Sequence, residues 1–331
     1  MRRRVGRGWL AAALIVSTAV ACSGARRTTK PTPHEVLRVA SQKGGTKAML
    51  TASGVLDQLP YGIEWAEFPA AQHLLEALSA GAVDLGAVGD APFQFAYQGG
   101  SPIKAVQAIR YNARASSTAI LVPAGSRAVS VGDLKGLRVA TGRGSAGHYM
   151  LLRALEKAGF APGDVRIIFL PPGDAKAAFS SGSVDAWSTW NPYVAAAVLH
   201  DGARILAGST GLSTGVAFIA ANEKSIQTKR PLIEDFLRRN ARAQEWAAAN
   251  PGPYAAVLAK ETGLPLDVAR YTADRGPRDA VALDQSLIAE QRQVLAAFKT
   301  AGALPGQRDF DGGFDATLFQ LAAPVAGTGR F

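Results

Sequence analysis

The sequence predicts an α/β protein of two lobes, each a mainly parallel sheet flanked by helices, joined by two crossing strands. Three observations predict it. First, the chain echoes itself: Leu37-Arg38-Val39-Ala40 returns as Leu137-Arg138-Val139-Ala140, and "SAGAVDLGAVGDAP" (79–92) returns as "SSGSVDAWSTWNP" (180–192). Both phrases recur in the same order at a spacing near one hundred residues, which marks a duplicated structural unit. Second, short apolar runs alternate with helical periodicities inside each copy, the pattern of a doubly wound sheet. Third, 331 residues with 48% apolar content can fill two cores.

In the first copy "VLRVA" (36–40) reads as a buried strand, and "KAMLTASGVLDQL" places Met49, Leu50 and Leu56 at helical spacing. "IEWAEF" reads as the next strand, "AAQHLLEALSAG" as a helix stopped by Gly81, and "VDLGAVG" as a third strand ending at Asp90-Ala91-Pro92. The second copy repeats the series with "LRVAT", "AGHYMLLRALEKAG", "VRIIFL", "GDAKAAFSSG" and "VDAWST". "STAILVPAG" (117–125) is expected to leave the first lobe and "TGVAFIAANE" (214–223) to return to it. From Arg230 the chain is helical. "PLIEDFLRRNARAQEW" opens on Pro231, favourable in a first turn, and "DQSLIAEQRQVLAAF" aligns Leu287, Gln291, Val294 and Phe298. These helices are expected to pack on the first lobe.

The N-terminus has a different character. Arg2, Arg3, Arg4 and Arg7 precede the apolar run "WLAAALIVSTAVA", shaped as a secretory signal and short for a membrane span. It ends at Cys22, the single cysteine, in a setting that resembles a bacterial lipobox; the plainer reading is a signal peptide with an incidental cysteine. One cysteine excludes an intramolecular disulfide and cysteine-based zinc sites. "SGARRTTKPTPHE" then reads as a flexible tether. Without residues 1–21 the formal charge falls from +10 to +6, so part of the basicity belongs to the signal. No basic–aromatic interleaving points to nucleic acid.

The domain boundaries expected are a signal at 1–21, a lipidated Cys22 with its tether at 22–35, one lobe from 36–121 with 218–331, and the other from 122–217. Ligands of open α/β sheets bind outside the carboxyl ends of strands. Two facing lobes therefore define a cleft. The turns "SQKGGT" (41–46) and "TGRGSAG" (141–147) each lie between a strand end and a helix start, where free N–H groups favour an anion. Neither has nucleotide-binding spacing. Trp190 is read as an apolar wall beside a small organic group, or as core packing. Asp90 and Asn191 either touch ligand or satisfy strand-end backbone. A Ser145–His148 catalytic pair can be drawn, but its spacing also fits helix capping, and no metal or nucleophile-elbow motif accompanies it.

"SQKGG", "EWAEFPAAQHLLEALSAGAVDLGAVGDAP", "VGDLKGLRVATGRGSAGHYMLLRALEKAG" and "AAFSSGSVDAWSTWNPY" resemble the aliphatic-sulfonate and taurine solute-binding proteins of ABC importers, over roughly 36–246. These belong to the nitrate/sulfonate/thiamine-precursor binding group. The resemblance implies a type II periplasmic-binding-protein fold and a lipid-anchored, monomeric receptor without cofactor. It would carry a small aliphatic sulfonate to a permease and its ATPase. Nitrate, phosphonate and thiamine-precursor binders share the scaffold and are the alternatives, with an enzyme of the same fold behind them. By position it implies Gln42, Asp90, Ser145 and Trp190 at the ligand. With their neighbours the candidate set is Gln42, Lys43, Gly45, Asp90, Ala91, Ser117, Gly144, Ser145, Trp190 and Asn191.

Overall fold

A computed structural model describes residues 35–43, 45–111, 117–161 and 163–320. The signal, Cys22 and nearly all of the tether lie outside them. The first copy runs β1 (Val36–Gln42), α1 (Thr46–Ala52), β2 (Gly62–Phe68), α2 (Ala71–Ser79), β3 (Leu85–Gly89), α3 (Asp90–Gln98) and β4 (Ile103–Tyr111). After β5 (Thr118–Val122), the second copy runs β6 (Arg138–Thr141), α4 (Ala146–Lys157), β7 (Arg166–Phe169), α5 (Pro172–Ser180), β8 (Ala186–Trp190), α6 (Tyr193–His200) and β9 (Arg204–Gly208). The chain returns through β10 (Val216–Asn222), then α7 (Glu223–Thr228), α8 (Arg230–Ala249), α9 (Pro251–Thr262), α10 (Leu266–Asp274), β11 (Pro277–Val281) and α11 (Gln285–Thr300).

Two sheets form, ordered β11-β4-β10-β3-β1-β2 and β7-β6-β8-β5-β9. Strands of each copy point one way, as expected. Their pairing is nonetheless mixed, because β10 lies antiparallel between β3 and β4, and β5 antiparallel between β8 and β9. Each sheet thus takes its inserted strand from the connection rather than from its own repeat. All residues of β5 and β10 are buried, as strands covered on both faces require. The boundary expected between 121 and 122 falls inside β5, which pairs wholly within the second sheet; the return likewise precedes Val216.

The repeated phrases have a structural cause. Asp84 accepts from the Arg38 backbone N–H at 2.8 Å and from its guanidinium at 2.8 Å; Asp185 does the same with Arg138, at 2.8 and 2.9 Å. Each carboxylate ties the start of the copy's first strand to the segment entering its third. In the first lobe the Asp84 carboxylate is fully buried and also takes Lys229 Nζ at 2.7 Å and Ser225 Oγ at 2.8 Å. Burial alone would raise its pKa, but these donors hold it at about 2.

The C-terminal helices depart from expectation in one respect. α8 and α9 do pack on the first lobe, against α1 and β11. α10 instead contacts α6, where Tyr271 joins the second lobe's apolar cluster with Trp187 and Val194. α11 contacts both α3 and α4. Its Phe298 is 5.5 Å from the Phe95 ring and 5.3 Å from His148. Two helices therefore bridge the lobes, because their apolar stripes meet both.

Equivalent substitutions at the two repeated aspartates should differ in cost. Asp84→Ala removes a buried acceptor from three side chains and is expected to cost about 2–4 kcal/mol. Asp185, 31% exposed, has only its arginine, so Asp185→Ala should cost about 1 kcal/mol. Urea unfolding midpoints of the two variants would check the difference; equal losses would contradict it.

Candidate functional site

Between the lobes lies a cavity of about 210 Å³ whose lining comes from both. The rims touch: Gln72 Nε2 donates to the Arg143 carbonyl at 3.0 Å, and the Tyr193 hydroxyl to the Pro69 carbonyl at 3.1 Å. On one flank His200 Nε2 is 2.8 Å from Asp267 Oδ2, joining α6 to α10. Of the expected residues, Gln42, Lys43, Gly45, Asp90, Ser117, Ser145, Trp190 and Asn191 line the cavity.

Two do not. Ala91 is wholly buried in an apolar cluster with Tyr149, Val294 and Phe298. Gly144 turns away from the cavity, and a Cβ there would lie 2.5 Å from the Phe95 ring. With φ at +67°, glycine is needed both for that backbone and for the interlobe contact. Its N–H donates to His148 Nδ1 at 3.1 Å. The donor that a glycine turn would offer an anion is consumed inside the protein.

His148 is itself a packing residue. Its ring lies edge-on to Phe169 at 4.9 Å, and burial, then the Arg143 charge, lowers its pKa to about 4. Ser145 is the N-cap of α4, its Oγ accepting from the His148 backbone N–H at 3.1 Å. The capping reading of this pair is the one observed. Gly147 then sits so close to β8 that a Cβ would come within 2.4 Å of the Ser188 carbonyl. α4 therefore points its first turn at the cavity, with Ser145 and Ala146 in the wall.

Across the cleft, Gln42 Nε2 donates to the Ala87 carbonyl at 2.8 Å, which fixes its amide at the rim. The Gly45 N–H donates to Gln42 O and the Lys43 N–H to Phe68 O, so the first turn also spends donors internally. Thr46 and the exposed Lys43 remain in the wall. Trp190 lines the cavity, edge-on to Tyr193 at 5.9 Å, whereas Trp187 is core.

Asp90 and Asn191, the matched ends of the repeat, behave differently. Asp90 accepts from the Ala91 N–H at 2.6 Å and from the Thr214 hydroxyl, so it satisfies the strand end and the returning connection. Burial pushes its pKa up to about 6, against those hydrogen bonds. In Asn191 only the backbone is engaged, its N–H donating to Ser117 O at 2.8 Å. Both side-chain amide atoms are buried on the cavity wall with no partner in the protein. Such an orphan costs about 1–3 kcal/mol unless something enters to meet it.

The reading of the sequence missed Gln244, Tyr254, Thr272 and Arg275, which line the cavity from the C-terminal helices. Nothing in the repeat signals them. The turn signal Gly276-Pro277 after Arg275 was the available cue.

A two-lobed sheet protein with an enclosed, partly polar cleft belongs to the architecture of solute-binding receptors. The chain belongs to the NMT1/THI5-like family, whose model matches residues 66–253. It is 36% identical over 279 residues to the "Putative aliphatic sulfonates-binding protein" of Escherichia coli K12, covering 83% of this chain and 87% of that one. The alkanesulfonate-binding protein SsuA of Xanthomonas axonopodis pv. citri, bound to MOPS, superposes with a TM-score of 0.78 at 32% identity, over 86% of this chain and 99% of that one. The desulfurization enzyme DSZB shares the fold alone, at 17% identity and a TM-score of 0.63 over 86% of this chain and 97% of that one.

The raised pKa of Asp90 sets a pH dependence. The folded state holds this proton up to about pH 6, while the unfolded chain releases it near 4. Stability is therefore lost as pH rises from about 4 to 6, by roughly 3 kcal/mol at one unit per 1.4 kcal/mol. Asp90→Asn should remove that slope. Subtracting its stability–pH curve from the wild-type curve isolates the group from His148, which titrates nearby with the opposite sign. A flat difference would overturn the assignment.

Proposed function

We propose that this protein is the extracytoplasmic solute-binding component of an ABC importer, capturing a small aliphatic sulfonate between its lobes. The observation that carries the reading is the unpartnered amide of Asn191, buried on the cavity wall. A sulfonate has three acceptor oxygens and stays ionised. It can take the Asn191 amide, the Thr46 and Thr118 hydroxyls and the first-turn N–H groups of α4, while Lys43 supplies charge at the mouth. Trp190, Met49, Ile109 and Val216 offer apolar surface for the tail. The sulfonate binders among the relatives support this ligand over nitrate, phosphonates or thiamine precursors.

Binding without turnover is part of the proposal. Ser145 meets the His148 backbone, and the imidazole Nδ1 is occupied by Gly144, so no side-chain Ser–His bond activates a nucleophile. The ligand set is Gln42, Lys43, Gly45, Ser117, Ser145, Trp190 and Asn191, with Asp90 holding the wall from behind. A monomer is part of the proposal. Cys22 is proposed as a lipid anchor beyond a signal at 1–21, with the tether between anchor and lobes.

In calorimetry, alkanesulfonates should bind more tightly than inorganic sulfate, since a buried tail adds about 25 cal/mol per Å². Asn191→Ala should weaken them about ten- to a hundredfold. Tighter binding of nitrate or a pyrimidine, or an unaffected Asn191→Ala variant, would count against the sulfonate. Cys22→Ser should leave the protein unprocessed or free of the membrane fraction; a variant still processed and membrane-bound as before would refute lipidation.

A further inference from the structure

Across the top of the first sheet, the strand ends run β2, β1, β3, β10, β4, β11. The anion-ready turn follows β1. Three strand spacings separate β1 from β4, about 14 Å at the level of the backbone. At that far side the cavity is lined by Tyr111 at the end of β4, and by Gln244, Tyr254, Thr272 and Arg275. This is a second polar pole, and apart from Tyr111 it is built from helices outside the duplicated unit.

Its chemistry is that of a donor cluster. Arg275 and Tyr254 supply its N–H and O–H groups, whereas Gln244, 2% exposed, presents an unpartnered Oε1 that takes a donor and not an oxyanion. Burial, with the Asp90 charge behind it, pushes the Tyr111 phenol up to about 12; burial also raises Tyr254, with Tyr111 as its second cause. Both hydroxyls stay protonated donors and are neighbours. The Arg275 guanidinium is stacked 3.6 Å over the Tyr271 ring, which itself packs on the second lobe, so the cation is pinned where the lobes meet. A plain alkyl tail would offer these donors no acceptor.

We infer that the ligand is a sulfonate bearing a second oxyanion, such as a carboxylate, at the far end of a short chain, with Arg275 and Tyr254 as the residues that select it. The inference rests on the sulfonate reading of the first pole.

The test is calorimetry with 4-sulfobutanoate and pentane-1-sulfonate, which match in chain length and differ at the far end. The wild type should prefer the sulfocarboxylate by about ten- to a hundredfold, the range of one or two charge-assisted hydrogen bonds. In Arg275→Met, which keeps an apolar stem over Tyr271, that ratio should fall towards one. Tyr254→Phe, which removes only a hydroxyl, should lower it in part and guards against misfolding of the first variant. A wild-type ratio near one, or a ratio untouched in both folded variants, would overturn the second pole and leave the sulfonate reading standing. Binding of neither compound would overturn both.

Discussion

The cleft depends on the exchange of β5 and β10. Each is inserted antiparallel into the sheet of the lobe it enters, beside the strand whose end forms the cavity wall. Pairing Ala217 with Gly89 brings the returning connection against the end of β3, and pairing Thr118 with Trp190 does the same in the second lobe. Because each strand alternates its side chains between two packed apolar clusters, a slip by one residue would exchange every side chain between cores of different shape. The two sheet edges that receive ligand are thereby held face to face by covalent connections. Relative motion is left to the crossings, a hinge of the kind that closes around a ligand.

Given that frame, the polar groups of the cleft divide by whether the protein satisfies them. The turns spend most of their N–H groups at home, on Phe68 O, Gln42 O and the His148 ring. This makes them rigid, which is what a binding wall needs if ordering is not to be charged against affinity. The unmet atoms lie elsewhere, on Asn191 and Gln244. A desolvated amide atom without a partner is destabilising in the empty protein and becomes useful when a ligand with the matching donor or acceptor arrives. The buried carboxylate of Asp90 shows the opposite economy: two donors keep it in place, and its raised pKa records the cost of burial.

α10 and α11 add a constraint that lies outside the duplication. Tyr271 fills a gap in the second lobe's core, and Phe298 is packed among Phe95, His148 and Tyr149. Parting the lobes would break these contacts. The energy of the closed form thus includes apolar contact well away from the ligand, at about 25 cal/mol per Å² of surface covered.

Much of this was determined by the sequence alone. The repeat of Arg38 with Asp84 in Arg138 with Asp185, and the period of the apolar runs, specify two similar lobes, since hydrophobic periodicity and local ion pairing act within one unit. The turns after β1 and β6, and the aromatic strand end at Trp190, were legible for the same reason: strand ends are where such sheets bind. β4 and β9 were not read, because their charge-bearing sequences IKAVQAIRY and RILAG give no clean alternation, although β4 is mostly buried in the fold. Only the tertiary structure decided that Gly144 faces Phe95 rather than the cleft, that Ala91 is core, and that Asp90 is satisfied while Asn191 is not. It alone brought Gln244, Tyr254 and Arg275 to the cavity. Those outcomes depend on which atoms meet across long sequence separations, and a hydrogen bond or a steric contact between distant segments leaves no period in the chain.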